Sequence, residues 1–383
     1  MATASEGGRV GRPAGMNLPA FPWDSLVPYR ERAREHPDGL VDLSVGTPVD
    51  ATPRVVREAL AGAANSPGYP TTLGTEALRA SAAGWLRRRF GIETVDPVHG
   101  VLPCVGSKEL VAWLPTLLGL GKADVVVHPE LAYPTYGIGA LMAGAEAVAA
   151  DSVVALGPRR PRVIWVNSPA NPDGRILPAE HLAKMVAWAR ECGAVLVADE
   201  CYIEFGWDAK PVSVLDPAVN GGSLDGVLAV HSLSKRSNLA GYRAGFVAGD
   251  PDMLATLLEI RKHAGMLMPG PVQAAMAAAL DDDAHVDEQL ARYRARRELL
   301  RDALVGAGLR IDRSEGSLYL WATRDEPCWE TIAWLADQGI LAAPGEYYGP
   351  LGASHVRVAL TATDERVAAA SKRLRPASHQ MIM

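Results

Sequence analysis

Between about residues 98 and 250 the chain changes hydrophobic period repeatedly, short β-branched runs giving way to stretches with apolar residues at helical spacing. Parallel strands cannot be joined by a tight turn. Each needs a crossover, so a chain that alternates strand and helix builds a parallel sheet covered by helices. One unit is complete, with a strand over 162–167 (RVIWVN), a helix over 178–192 and a strand over 194–198 (AVLVA). Leu182, Met185, Val186 and Ala189 share one face of that helix, which Gly193 ends. Runs at 101–105, 226–231 (GVLAVH) and 245–250 (GFVAGD) read as further strands. The expected class is α/β, with a mostly parallel mixed sheet flanked by helices.

Beyond residue 283 the pattern changes. The span 283–306 reads as one long helix, on which Arg292, Arg294, Arg296 and Arg297, set against Glu288 and Glu298, form a solvated face. Segments at 317–322 (SLYLWA), 329–338 and 355–360 (HVRVAL) mix strand and helix at short spacing, as in a smaller α+β domain. At 383 residues, and roughly 150 per domain, two or three domains are expected. Residues 1–16 are glycine-rich, with almost nothing to bury, and are expected to form a flexible tail.

The formal charge of −6, from 38 Lys and Arg against 44 Asp and Glu, gives no cationic field to hold a phosphate backbone. Nucleic acid is therefore not an expected partner. No apolar run reaches the roughly eighteen residues of a membrane span, and the N-terminus lacks the apolar core of a signal peptide. Cys104, Cys192, Cys201 and Cys328 form no Cys-x-x-Cys pair and have no histidine cluster beside them. These features point to a cytoplasmic protein with reduced thiols, no membrane partner and no metal site. The nicotinamide, ATP and zinc-protease motifs G-x-G-x-x-G, Walker A and H-E-x-x-H are absent.

In an open parallel sheet, ligands bind outside the carboxyl ends of the strands. After RVIWVN come Asn167 and Asn171; after AVLVA come Asp199, Glu200 and Tyr202; after GVLAV come Ser232, Ser234, Lys235 and then Arg243. Taken singly, each has an ordinary structural explanation, a turn, a helix cap or an exposed lysine. Together they aim an amide, a carboxylate with a phenol, and an amine with hydroxyls at one crevice. Upstream, the run Val101 to Val105 leads through Gly106 into Ser107, Lys108 and an apolar helix, whose N-terminal N–H groups can seat a phosphate. An amine, an acid, a phenol and an anion seat are the set that pyridoxal 5'-phosphate requires. Ser232 to Lys235 also fits Ser-x-x-Lys, but the Ser-Asp-Asn and Lys-Thr-Gly elements of penicillin-binding enzymes do not occur.

These residues, in this order, resemble the class I/II aminotransferases of fold type I, over about residues 18–375. The resemblance implies a large cofactor-binding domain over 47–283, and an N-terminal arm with a small domain, 17–46 and 284–383, built from both chain ends. It matches Lys235 to the lysine that holds the cofactor covalently, and Ser107, Lys108, Ser232 and Arg243 (in GYRAG) to its phosphate ligands. Tyr133 (in PELAYPTY) matches the aromatic residue stacked on the ring, Asn171 and Tyr202 the partners of the ring hydroxyl, and Asp199 the partner of the ring nitrogen. Lys235, Asp199 and Tyr202 are thereby the expected catalytic residues. Gly46 (in VGTP) and Arg357 (in HVRVAL) match substrate-binding positions, the arginine gripping an α-carboxylate with its fork. Tyr69 (in YPTTLG) matches a tyrosine that reaches the phosphate of a neighbouring subunit, which implies a homodimer. Asp173 departs from the family, which places a small hydroxyl residue after Asn-Pro, and it receives no role.

Within that family, SKRSNLAGYRAGF, LPAFPWD and RKHAGMLMPGPVQ look most like the actinobacterial succinyldiaminopimelate aminotransferases. The partners implied are an amino donor, glutamate, and a succinylated keto-acid acceptor of the lysine and diaminopimelate route. The acceptor's acidic tail needs a second cation, for which Arg236, Lys262 and His263 are the candidates. The alternative is an enzyme of the same family that acts on another amino acid or completes a different reaction at Cα, because fold and cofactor do not settle the reaction.

Overall fold

The computed structural model describes residue 16 and residues 18–375. The expected N-terminal tail lies, apart from Met16, outside the described residues. In chain order the strands are β1 (Val41–Asp42), β2 (Val101–Val105), β3 (Val125–His128), β4 (Glu146–Ala149), β5 (Pro161–Asn167), β6 (Val195–Asp199), β7 (Val227–Ser232), β8 (Ala244–Gly249), β9 (Arg310–Asp312), β10 (Tyr319–Thr323), β11 (Ile340–Leu341), β12 (Ala343–Pro344) and β13 (Val356–Ala359). Seven of them form the main sheet in the order β2-β8-β7-β6-β5-β3-β4, with β8 antiparallel to both neighbours and the other pairs parallel. The complete unit read from the sequence is present as β5, the helix Ala179–Cys192 and β6, and Gly193 ends the helix at a φ of +67°. A residue with a Cβ resists that left-handed conformation, so a glycine stands there.

The main sheet is apolar on both faces, and strand alternation sorts its residues. Leu196 and Ala198 pack with Trp85 and Phe246 on one face, while Val197 and Val230 pack with Tyr136 and Trp165 on the other. A central strand such as β7, buried at every position, is a continuous apolar run for that reason. The second sheet is antiparallel, in the order β12-β13-β10-β9, and its core also takes in Leu26, Val41 and Leu43 from the N-terminal side. The parallel pair β1 and β11 joins the two ends of the chain there.

The long helix Ala284–Gly306 forms as expected, but its arginine face is not solvated throughout. Arg296 and Arg297 are 3% and 5% exposed. Arg296 forms two hydrogen bonds to Asp50 at 2.7 Å, and Arg297 pairs with Asp208 and donates to Ser314 O at 2.9 Å. Acids far away in sequence cover these two cations, and helical charge patterning alone carries no information about such partners.

Candidate active site

Three strand ends and a helix start converge. Lys235 lies in the short helix Leu233–Arg236 directly after β7, and its Nζ reaches the carbonyl of Gly46. Burial holds its ammonium below the usual lysine value; the Tyr319 phenol opposes that effect, and the Arg357 charge adds to it. Asp199, at the end of β6, accepts from Tyr136 Oη at 2.8 Å and from the Cys201 N–H at 3.1 Å. Burial holds its carboxyl above the usual carboxylate value, and these donors oppose that only in part. Asn167, at the end of β5, steadies the loop beyond it, donating to Asp199 O at 2.8 Å and accepting from the Asn171 N–H at 2.7 Å.

Tyr202 shares a hydrogen bond of 2.8 Å with Tyr319 of β10, and burial lifts its phenol well above the ordinary range. Asn171 Oδ1 accepts from Arg357 Nη1 at 2.7 Å, and Arg357 Nη2 donates to Ser44 O at 2.7 Å. The guanidinium carbon of Arg357 lies 4.0 Å from the ring centre of Tyr319 and 4.9 Å from that of Tyr348, so the cation is buried between aromatic faces. Its Nε has no hydrogen-bond partner among the described residues. A Cβ on Gly46 would stand 2.2 Å from Tyr319 Oη, so a bare backbone is required beside that ring.

Ser107 and Lys108 open the helix Ser107–Leu117, which follows β2 through Gly106 at φ +76°. A Cβ on Gly106 would lie 2.3 Å from Arg243 Nη2, and one on Gly245 would lie 3.0 Å from the Ser107 nitrogen. Two glycines thus leave main chain open beside a guanidinium at a helix N-terminus. Ser232 stands at the end of β7 and caps the next helix, accepting from the Ser234 N–H at 3.2 Å. Tyr133, Lys108 and Arg357 line one cavity of about 840 Å³, together with Phe21, Trp23, Trp329, Tyr347 and Tyr348.

The structure therefore brings together Gly46, Asn171, Asp199, Tyr202, Lys235 and Arg357, and sets Ser107, Lys108, Tyr133, Ser232 and Arg243 around them. Among the described residues nothing covers Tyr69, which is 99% exposed. Arg236 is not an available cation. It is buried and donates to Glu204 Oε2 at 3.2 Å and to Ala279 O at 2.9 Å. Lys262 pairs with Glu259 at 2.6 Å, and neither it nor His263 lines the cavity. Sequence reading missed Tyr136, Tyr319 and Tyr348. Tyr319 carried no signal in the sequence, since its place beside Arg357 follows from a strand register that pairs Trp321 with Arg357.

Aminotransferase class I and II is the family whose sequence description matches this chain, over residues 38–374. The chain belongs to the class I and II aminotransferases. This aminotransferase is 62% identical over 357 residues to a 4-dedimethylamino-4-oxo-anhydrotetracycline transaminase of Streptomyces rimosus, covering 93% of this chain and 99% of that one. It is 58% identical to a probable aminotransferase of Mycobacterium tuberculosis, covering 97% and 90% of the two chains. Among solved structures it resembles a probable N-succinyldiaminopimelate aminotransferase from Thermus thermophilus, with a TM-score of 0.83, 29% identity, and coverage of 92% and 99%.

Aminotransferases of this class depend on pyridoxal phosphate and act on an amino donor and a keto-acid acceptor. The residues present fit that cofactor. The glycine-lined seat at Gly106 and Gly245, with Arg243 against it, suits a phosphate, and Asp199 and Lys235 supply the acid and the amine. Among the described residues no helix is long and apolar enough to cross a membrane.

Proposed function

We propose that the chain exchanges an amino group between glutamate with 2-oxoglutarate and N-succinyl-LL-2,6-diaminopimelate with N-succinyl-2-amino-6-oxopimelate. The observation that carries this reading is the cavity of about 840 Å³ beside Arg357, in which Lys108 is the second cation among the described residues. Two cations on a largely apolar wall, whose Glu346 accepts from Trp329 Nε1 at 2.7 Å, suit a long substrate with a carboxylate at each end. The similarity to the probable N-succinyldiaminopimelate aminotransferase of Thermus thermophilus is in keeping with it.

When bound, pyridoxal phosphate supplies the conjugated ring that accepts the electron pair released at the substrate's Cα. The chain's own residues do the rest. Lys235 would hold the cofactor covalently and move the proton at Cα, a task for which its lowered basicity suits it. Asp199 would partner the ring nitrogen and keep a proton there. Tyr202 and the Asn171 amide would donate to the ring hydroxyl, and Tyr133 would supply the aromatic face for the ring. The Ser107 and Lys108 N–H groups, Ser232 and Arg243 would hold the phosphate. Arg357 grips the α-carboxylate, and Gly46 lies over the substrate.

A homodimer belongs to the same proposal. A tyrosine 99% exposed in one chain finds cover when Tyr69 reaches the phosphate seat of the partner. The four free cysteines fit a cytoplasmic location.

A second reading is transamination of a polycyclic aromatic ketone. The aromatic cavity wall of Phe21, Trp23, Tyr133, Trp329 and Tyr347 favours it, as does the similarity to the anhydrotetracycline transaminase of Streptomyces rimosus. The test is the visible absorbance of the purified protein with glutamate, followed by 2-oxoglutarate or either ketone. Reversal of the glutamate-induced change by the succinylated ketone supports the first reading. Reversal by a polycyclic ketone in its place supports the second, and no response to glutamate removes both.

A further inference from the structure

On the reverse of the sheet from the cavity, β6 and β7 end in two buried ionisable side chains that the proposed reaction does not use. Glu200 follows Asp199 and His231 precedes Ser232, so strand alternation turns both away from the substrate. Each is 2% exposed. Glu200 Oε1 accepts from Ser213 Oγ at 3.0 Å and from the Val214 N–H at 2.8 Å. Among the described residues its Oε2 has no hydrogen-bond partner, and neither has either ring nitrogen of His231. His231 Nε2 stands 3.8 Å from Glu200 Oε2. That separation is too long for a direct hydrogen bond and calls for a bridging water.

Arg236 supplies a third unpaired group. Its Nε donates to Glu204 at 3.2 Å, and its Nη1 donates to Ser237 Oγ at 3.1 Å and Ala279 O at 2.9 Å. Its Nη2 is buried and has no hydrogen-bond partner among the described residues. Glu200, His231 and Arg236 line one cavity of about 10 Å³, closed by Trp85, Phe246 and Leu280. A cavity of that size holds one water and nothing larger.

We propose that this cavity binds a single internal water bridging Glu200 Oε2, His231 and Arg236 Nη2, and that the hydrated cluster positions the strand ends carrying Asp199 and Lys235. The donor pattern fixes how the water sits. Arg236 only donates. Burial lifts Glu200 to about 8 and takes His231 down to about 3, so at neutral pH the acid keeps its proton and the imidazole is uncharged. Because Glu200 Oε1 already accepts two bonds, the proton sits on Oε2 and points into the cavity. The water therefore accepts from Glu200 and Arg236 and donates to one imidazole nitrogen, three bonds in all, as is usual for buried water. An ammonium ion would meet the guanidinium and is excluded.

The positioning follows from what Glu200 holds. Its N–H donates to Val230 O at 2.9 Å, tying the end of β6 to β7, while its carboxyl clamps residues 213 and 214. Glu204 is already occupied by Trp85 Nε1 at 2.7 Å and by Arg236, so it cannot replace the water as a partner.

Two variants test this. Glu200→Gln keeps an acceptor for Ser213 and a donor toward the cavity, whereas Glu200→Met keeps the bulk and neither function. Crystal structures of the holoenzyme and both variants, their melting temperatures, and the pH dependence of the bound cofactor's visible absorbance are the readouts. The expected result is a water in the parent and in Glu200→Gln, a melting temperature within about 2 °C of the parent for Glu200→Gln, and an unmoved absorbance profile. Glu200→Met should lose the water, melt lower and shift the profile. An empty cavity in the parent overturns the proposal, and so does a Glu200→Gln protein as perturbed as Glu200→Met.

Discussion

Arg357 Nη1 donates to Asn171 Oδ1 at 2.7 Å, joining the middle of β13 to the loop that follows β5. The residue proposed to grip the substrate and a residue proposed to hold the ring hydroxyl are thus parts of one hydrogen-bonded unit. A lysine at 357 cannot keep the Asn171 and Ser44 bonds and also offer a fork to a carboxylate. Arg357→Lys should raise KM for donor and acceptor alike, by roughly tenfold, the equivalent of one charge-assisted hydrogen bond. Steady-state kinetics with each substrate varied in turn would show it, and a rise for one substrate only would contradict a shared carboxylate site.

Tyr136 bears on Asp199 in a way that pH reveals. Its hydroxyl bond favours the ionised carboxylate, against the burial that raises the pKa. In Tyr136→Phe that opposition is weakened, so Asp199 takes up a proton at higher pH. The acidic limb of kcat/KM should move to higher pH, with a loss of about fivefold near neutrality, the worth of about 1 kcal/mol. An unchanged pH profile would separate Tyr136 from the ionisation of Asp199.

Lys108→Ala leaves the N–H of the proposed phosphate seat in place and removes the side chain beyond Cβ, its ammonium included, from the cavity lining. KM for the succinylated acceptor should rise about tenfold while glutamate is affected less than about threefold. Equal KM values for parent and variant with the succinylated acceptor would count against Lys108 as reader of the distal acid.

Stability should depend on Arg296. Its side chain is 2% exposed and pairs with Asp50, which is 11% exposed. Burial raises the Asp50 pKa, but the hydrogen bonds from Arg296 and Gln289 outweigh it, and the carboxyl ends below its usual 3.8. A depressed carboxylate contributes stability above its unfolded-state pKa and loses it as the pH falls through the folded value. Arg296→Leu should destabilise the protein by about 2–4 kcal/mol near neutrality, somewhat below a fully buried pair because Asp50 is partly solvated. The deficit should shrink in acid, below about pH 4. Denaturant melts at several pH values would reveal both effects.

What could be read in the sequence was local. The change between periods of two and 3.6 located β2 and β5 to β8, and the residues at or just beyond the ends of β6 and β7 supplied Asp199, Tyr202, Ser232 and Lys235. The burial of Arg296 and Arg297 was not legible, because their acids come from positions 50, 364 and 208, and composition around a helix does not say what will pack on it. Tyr319 and Tyr348 were missed for the same reason, since they matter only through the ring faces they turn toward Arg357. Arg236 was misjudged because a cation next to Lys235 in sequence points to the opposite face of the sheet, where Glu204 meets it.

The main chain from Leu43 to Gly46 offers four successive carbonyls, to the Ala359 N–H at 2.8 Å, to Arg357 at 2.7 Å, to Thr361 Oγ1 at 2.9 Å and to Lys235. Every one of these contacts is made through backbone, and the Val45 side chain is 43% exposed. Inheritance should treat this stretch asymmetrically. The side chain at 45 is free to drift among descendants, whereas inserting or deleting a single residue would misalign all four acceptors at once, so the length of the segment is fixed more firmly than its spelling.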